Sequence, residues 1–177
     1  ATPIPTQSPE QIAAEAEKMA KEVIRLTNIE RKKYGESELK YHAKLQQAAM
    51  TRAKELATKY SHTRPDGRDS GTAAFDAGVG NPGGENIGAG FTTPKGVVQA
   101  WMESAGHRTT LLQSHYTHIG VGYYHASNGT EYWVQDFSSG PDEKCTLTVD
   151  GNGGTFPSKG DVERFEMKVP KGITLYT

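Results

Sequence analysis

Six side chains of this 177-residue sequence combine suitable chemistry with suitable placement: His62, Glu85, Glu103, His107, His115 and His118. Imidazoles and carboxylates are common zinc ligands, and the same groups pass protons as general acids and bases. Three of the six adjoin turn signals. His62 precedes Arg64-Pro65-Asp66-Gly67, Glu85 follows Asn81-Pro82-Gly83-Gly84, and His107 follows Gly106. His115 immediately precedes a strand pattern. Loops held by rigid elements are where sites concentrate. The spacing by itself matches no catalytic pattern: there is no HExxH helix, no GxSxG elbow, no CxxC pair and no phosphate-cradling glycine loop with a lysine. Taken singly, a histidine is more often a surface or hydrogen-bonded structural residue, and His42 and His125 are read that way. Ser61 beside His62 is no nucleophile–base pair, because neighbours in an extended segment point in opposite directions. Cys145 falls in an alternating strand pattern and reads as a core thiol.

The elements that must position these residues follow from the distribution of glycine. Residues 1–60 hold one of the 20 glycines, Gly35, whereas residues 61–96 hold nine, so a helical first third precedes an irregular, turn-rich stretch. Ser8-Pro9-Glu10-Gln11 starts a helix with a cap, a proline at the first position and a glutamine three residues after the cap. Ile12, Ala16, Met19, Val23 and Leu26 form its apolar stripe, and Lys32, Lys33 and Gly35 end it. Its first turns reach past the core. A second helix spans about Tyr41 to Tyr60, with Leu45, Ala49, Ala53 and Leu56 inward and Ala48 and Ala57 allowing close packing. A third begins at Thr93-Pro94, carries Val97, Val98, Trp101 and Met102, and is interrupted at Ser104-Ala105-Gly106 before a short turn from His107 to Leu112. Glu103 and His107 share a face only if the helix continues through Gly106.

From Tyr116 the apolar period becomes two. Ile119, Val121 and Tyr123 alternate with His118, Gly120 and Gly122, Asn128-Gly129 signals a hairpin, and Tyr132 to Phe137 returns. Asn128-Gly129-Thr130 also fits a glycosylation sequon, but the turn explains it better. Glycines 120 and 122 leave room for close packing on one face of the sheet. Beyond Ser138-Ser139-Gly140-Pro141, three short strands are expected, around Cys145–Val149, Phe165–Val169 and Ile173–Leu175, with a turn at Gly151-Asn152-Gly153-Gly154. They are too few for a core of their own.

Composition narrows the function. With 20 Lys plus Arg against 21 Asp plus Glu, the net charge is -1, which argues against nucleic acid as a partner. No apolar stretch approaches the roughly 18 to 20 residues of a membrane span. The single cysteine can form no internal disulfide. Composition and periodicity reach as far as a soluble domain of helices and strands with a His/Glu pocket.

Seven segments taken in order go further. They are Asn28-Ile29-Glu30-Arg31 ahead of Gly35 and Leu39; Ala49 through Ala57; Ser61 through Gly67; Gly84-Glu85-Asn86-Ile87; Trp101 through Arg108; Tyr116 through Gly122; and Tyr132 through Phe137. Together they resemble the CAP superfamily of cysteine-rich secretory, antigen 5 and pathogenesis-related proteins, in its bacterial SCP-like branch. The resemblance implies an α+β fold: an α-β-α sandwich with a small antiparallel sheet between helical layers. It divides the chain into an N-terminal extension of the first helix (1–19), the CAP domain (20–138) and a β-rich appendage (139–177). It also implies a central cleft with two histidines and two glutamates that binds a divalent metal in some members. His62 and His115 take the histidine positions, as ligands for a metal such as zinc, and Glu85 takes the first glutamate position. The second glutamate position is Ser104, with Glu103 one residue short, and His107 is the candidate to fill the gap. The cleft would then comprise His62, Glu85, Glu103, His107 and His115.

Thr146 through Thr155 resembles the opening of a Listeria–Bacteroides-type Gram-positive surface repeat. The functional expectation is a secreted or wall-associated bacterial binding module, a monomer taking a small ligand, lipid, glycan or peptide, with any signal peptide already removed ahead of Ala1. One alternative is a metal-assisted hydrolase with Glu85 or Glu103 as general base. The other is a non-catalytic surface scaffold.

Overall fold

The computed structural model describes residues 8–140 and two further strands, 144–150 and 164–170. Helix α1 runs Pro9–Lys33, and its start forms as the sequence indicates. Ser8 Oγ accepts from Gln11 N while Gln11 Oε1 accepts from Ser8 N, a reciprocal capping box. Gly35, at φ +79°, takes the left-handed conformation just past the helix end. The stripe shifts from the expected one. Ile12 is 53% exposed, because the first turns lie beyond the sheet, while Ala16, Ala20, Val23, Thr27 and Arg31 are buried.

After the two-residue strand β1 (Lys40–Tyr41), α2 occupies Ala43–Leu56, shorter at both ends than the periodicity indicates. His42 is its cap, accepting from Leu45 N through Nδ1, and Ala57 is exposed rather than packed. The stretch expected to be irregular holds two elements, α3 (Gly71–Asp76) and the eight-residue strand β2 (Pro82–Ala89). Its glycines serve close contact: a Cβ on Gly84 would come within 2.8 Å of the Thr110 methyl and 3.0 Å of the Tyr116 hydroxyl. Helix α4 (Pro94–Glu103) starts on the Thr93 cap. Ser104, at φ -84° and ψ 121°, separates it from α5 (Ala105–Leu111), so Glu103 and His107 do not share a helical face. Strands β3 (His118–His125) and β4 (Glu131–Ser138) form the hairpin, with Gly129 at φ +80° in its turn.

The sheet order is β1-β3-β4-β2, antiparallel except for the β1–β3 pair, and β2 lies at an edge. Val23 of α1, Val97 and Trp101 of α4, and Ile119, Val121, Trp133 and Phe137 of the sheet form the core on one face. On the other, Ala49, Ala53 and Leu56 of α2 cover Ile87 and Val134. The result is the expected α-β-α sandwich. Strands β5 (Lys144–Asp150) and β6 (Arg164–Pro170) pair antiparallel, as the alternation indicates. The turn at 151–154 and the strand expected at 173–175 lie outside the described residues, as do the side chains of β5, Cys145 included.

Helix α2 rests directly on β3. A Cβ on Gly120 would collide with the Leu45 carbonyl group and Gln46 N, and one on Gly122 with the Ala49 carbonyl group. The colliding atoms are backbone, so relief would require the whole helix to lift. Gly122→Ala is therefore expected to lose about 3 kcal/mol or more, at or beyond the top of the usual overpacking range, as measured by urea denaturation. Wild-type stability in that variant would show that α2 does not lie this close.

Candidate functional site

The site forms where the edge strand β2 meets the segment that leaves α2. Residues 61–70 fold back on themselves through a turn with Gly67 at φ +89°, a Thr63–Asp69 bridge and a bond from Ser70 N to the His62 carbonyl. This carries His62, 54% exposed, to the side chain of Glu85, which is 4% exposed. His62 Nδ1 lies 2.8 Å from Glu85 Oε1. A carboxylate can only accept, so Nδ1 holds the proton, and the ring's Nε2 is left as an acceptor while the imidazole is neutral.

Glu85 is held from behind by Arg52, whose side chain is 0% exposed. Arg52 Nε donates to Glu85 Oε2 at 2.7 Å, Nη1 to Glu55 Oε2 at 2.7 Å, and Nη2 to the Ser61 carbonyl at 2.7 Å. One guanidinium thus fixes the carboxylate and the backbone of the residue before His62. The network continues outward. Arg64 Nη2 donates to Glu55 Oε1 at 2.7 Å and Arg64 Nη1 to Asp76 Oδ2 at 2.8 Å, and Arg68 also reaches Asp76. Burial pushes Glu55 upward, but Arg64 and Arg52 outweigh it and hold the carboxyl below its ordinary range. Arg68 and then Arg64 hold Asp76 down at about 2.

The opposite wall comes from α5. Asn86 Nδ2 donates to the His107 carbonyl at 3.1 Å and to Gln135 Oε1 at 3.1 Å, and Gln135 Nε2 reaches Thr27 Oγ1 of α1 at 2.7 Å. The His107 ring is half-buried. Burial first, and then a charge on His62, lower its proton affinity, which places the two imidazoles within electrostatic reach. The His115 ring packs on Tyr116 with centroids 4.4 Å apart, and the Tyr116 hydroxyl accepts from Gly84 N at 2.8 Å. His115 therefore reaches β2 through one intervening aromatic ring. Arg31 Nη1 secures the preceding loop by donating to the Leu111 and Gln113 carbonyls.

Two of the six side chains point elsewhere. Glu103 accepts from Gln99 and lines a surface groove of about 410 Å³ between α1 and α4, with Ile29, Lys33 and Met102 among its walls. The His118 ring packs edge-on against His42, with centroids 5.6 Å apart.

Zinc is not supported. Among the described residues, no group of three or more His, Cys, Asp or Glu side chains is arranged to hold a metal ion. Both Glu85 oxygens already face donors, and the positive charge beside them is a guanidinium, against which a dication would be repelled. The donor set does not fit a resident zinc.

Two residues of the candidate site escape the sequence pattern, Arg52 and Asp136. Arg52 is three residues from Ala49 and seven from Leu45, on the inward stripe of α2, where a cation requires a buried partner. Asp136 alternates with Val134 on the same sheet face and lies directly opposite Glu85.

A four-stranded sheet between two helical layers, with a histidine–glutamate pair at its edge strand, defines a three-layer domain of the secretory-protein type. The chain belongs to the cysteine-rich secretory protein family, CAP, whose sequence model matches residues 24–137. The one cysteine lies outside that span. The chain is 34% identical to YkwD of Bacillus subtilis (strain 168) over 135 residues, 75% of this chain and 50% of YkwD. It is 29% identical to the membrane protein YlbC of the same organism, covering 34% of it. The chain thus spans half or less of these relatives. An extracellular protein containing a SCP domain from Bacillus anthracis str. Ames has a similar structure, at TM-score 0.69 and 25% identity, covering 77% of this chain and 45% of that one. The cysteine-rich secretory protein SAV1118 of Staphylococcus aureus shares the fold at TM-score 0.59 and 22% identity, over 77% of this chain and 42% of its own.

Replacing Arg52 with Gln is expected to cost about 3–5 kcal/mol, because Glu85 and Glu55 would lose the cation that compensates their burial. Chemical denaturation measures this, and a loss under 1 kcal/mol would contradict the assignment. Acid has a related effect. Asp76 binds its proton more weakly folded than unfolded, so its contribution is present above about pH 4 and lost as pH falls toward 2. Asp76→Asn should flatten that part of the stability profile.

Proposed function

We propose that this is the binding domain of a secreted or wall-associated bacterial protein, and that it recognises a polar ligand at the His62–Glu85 cleft. The observation that carries the reading is the dyad: an exposed imidazole whose Nδ1 is pinned by a buried, arginine-backed carboxylate. This arrangement holds Nε2 at a fixed place and in a fixed tautomer without further ordering cost, which suits it to a ligand hydroxyl or amide. Extracellular placement is supported by the description of the Bacillus anthracis protein as extracellular. Ligand classes of the right chemistry are glycans, peptides and lipid headgroups.

The same dyad favours one second reading. An imidazole oriented by a carboxylate is the arrangement of a general base, and water would be the nucleophile, since Ser61 Oγ is engaged by Thr63 N at 3.0 Å. No step in this reading involves Glu103, which faces the α1–α4 groove.

A panel of peptidoglycan fragments, peptides and phospholipid vesicles, read by chemical-shift perturbation, tests the binding reading. At least one member should bind the wild type, and His62→Ala should weaken it about 10- to 100-fold, the loss of one strong hydrogen bond. Binding unchanged in His62→Ala would put the ligand elsewhere on the domain and overturn the cleft, and none across the panel would favour a scaffold. Turnover of a bound panel member that stops in His62→Ala would favour the base.

A further inference from the structure

We propose that Asp136 is a positioning residue of the cleft: it stands as a neutral carboxylic acid, and its proton leaves the Arg52 guanidinium to Glu85, so that the aim of His62 depends on a proton held behind it. Asp136 on β4 is the direct cross-strand partner of Glu85 on β2, and both lie on the sheet face that α2 covers. Side chains so paired have Cβ atoms about 4.5–5.5 Å apart. Asp136 is 6% exposed, and burial beside the Glu85 carboxylate disfavours a second negative charge there.

The hydrogen bonds decide which one holds the proton. Glu85 receives Arg52 on both oxygens, at 2.7 Å on Oε2 and 3.4 Å on Oε1, and His62 on Oε1 as well. Asp136 Oδ2 has no partner among the described residues. The charged groups facing Asp136 are Glu85 from β2 and Arg52 from α2, while β3 places Gly120 opposite it. Burial, and then the charge of Glu85, raise its hold on the proton, against a weaker opposing pull from Arg52. Arg52 is already divided among Glu85, Glu55 and the Ser61 carbonyl. An ionised Asp136 would compete for it and loosen Glu85 and the segment carrying His62.

The sign of the pH effect follows. An unfolded aspartate releases its proton near pH 3.9, whereas the folded one keeps it to higher pH. Between those values the folded chain binds the extra proton, so stability falls as pH rises through the window. Protonation of Asp136 stands independently of the binding reading; only its consequence for recognition rests on that reading.

The test compares the wild type with Asp136→Asn, which keeps the shape and the neutral charge. The melting temperature of Asp136→Asn minus that of the wild type should be near zero at about pH 4 and grow as pH rises. In the wild type, the Asp136 carboxyl carbon should keep its protonated NMR shift at pH values where an ordinary aspartate is ionised, and the Arg52 Nε–H resonance should move when that carboxyl titrates. A merely structural aspartate would give a pH-independent difference. A flat difference, or a carboxyl that titrates in the ordinary aspartate range, overturns the proposal. If Asp136→Asn does not fold, the two wild-type resonances decide. A failed ligand panel with the predicted titration intact would count against the binding reading alone.

Discussion

The contact between the backbone of α2 and the two glycines of β3 sets the geometry of the cleft. An ordinary side chain at Gly120 or Gly122 would collide with backbone atoms of α2 near Leu45 and Ala49, so the helix lies lower than a helix packed through side chains. Arg52 follows Ala49 by three residues and is carried down with it. At that height the guanidinium is sealed from solvent yet reaches Glu85 on the edge strand. It also reaches the Ser61 carbonyl at the end of the same segment, and so holds the backbone next to His62. The path from two missing side chains to an aimed imidazole is continuous, and each step is a direct contact.

The charges make this arrangement specific rather than merely stable. Burying a guanidinium and a carboxylate costs solvation that their mutual attraction does little more than offset. Breaking the pair, however, would strand a charge inside, so the fold is bound to the one geometry in which Arg52, Glu85 and Glu55 meet. The outer members, Arg64, Asp76 and Arg68, lie nearer solvent and contribute less individually. Their effect is to fasten the 61–70 segment to α2 and α3, which keeps an exposed histidine from wandering.

Local patterns made much of the fold legible. The capped starts at Ser8-Pro9 and Thr93-Pro94, the Asn128-Gly129 turn and the glycine pair on β3 each have a short-range physical cause, and each forms as expected. What escaped depends on contacts distant in sequence. Strand β2 reads as a turn because Gly83 and Gly84 suggest flexibility, although they are small because Tyr116 lies against them. Arg52 and Thr27 occupy inward positions of their helices but are polar, so an apolar stripe passes over them. Ile12 shows the reverse, an apolar residue in register whose helix has outrun the sheet. Of the site, His62, Glu85 and His107 were named from the sequence. The buried arginine and aspartate beside them were not, since a polar residue on an inward face is recognised only once its neighbours are known.

Ser104 decides what kind of cleft this is. Its extended backbone ends α4 and restarts the chain as α5, leaving Glu103 on the outer α1–α4 groove. The same break brings the His107 carbonyl to Asn86 and its ring into the field of His62. Where a second glutamate is expected, the cleft instead has an imidazole whose proton affinity is depressed, and its one well-fixed carboxylate is already matched by an arginine. Such a set has little negative charge to offer a cation. It offers imidazole nitrogens beside a rigid wall, and that chemistry suits hydrogen bonding to a polar ligand better than metal coordination.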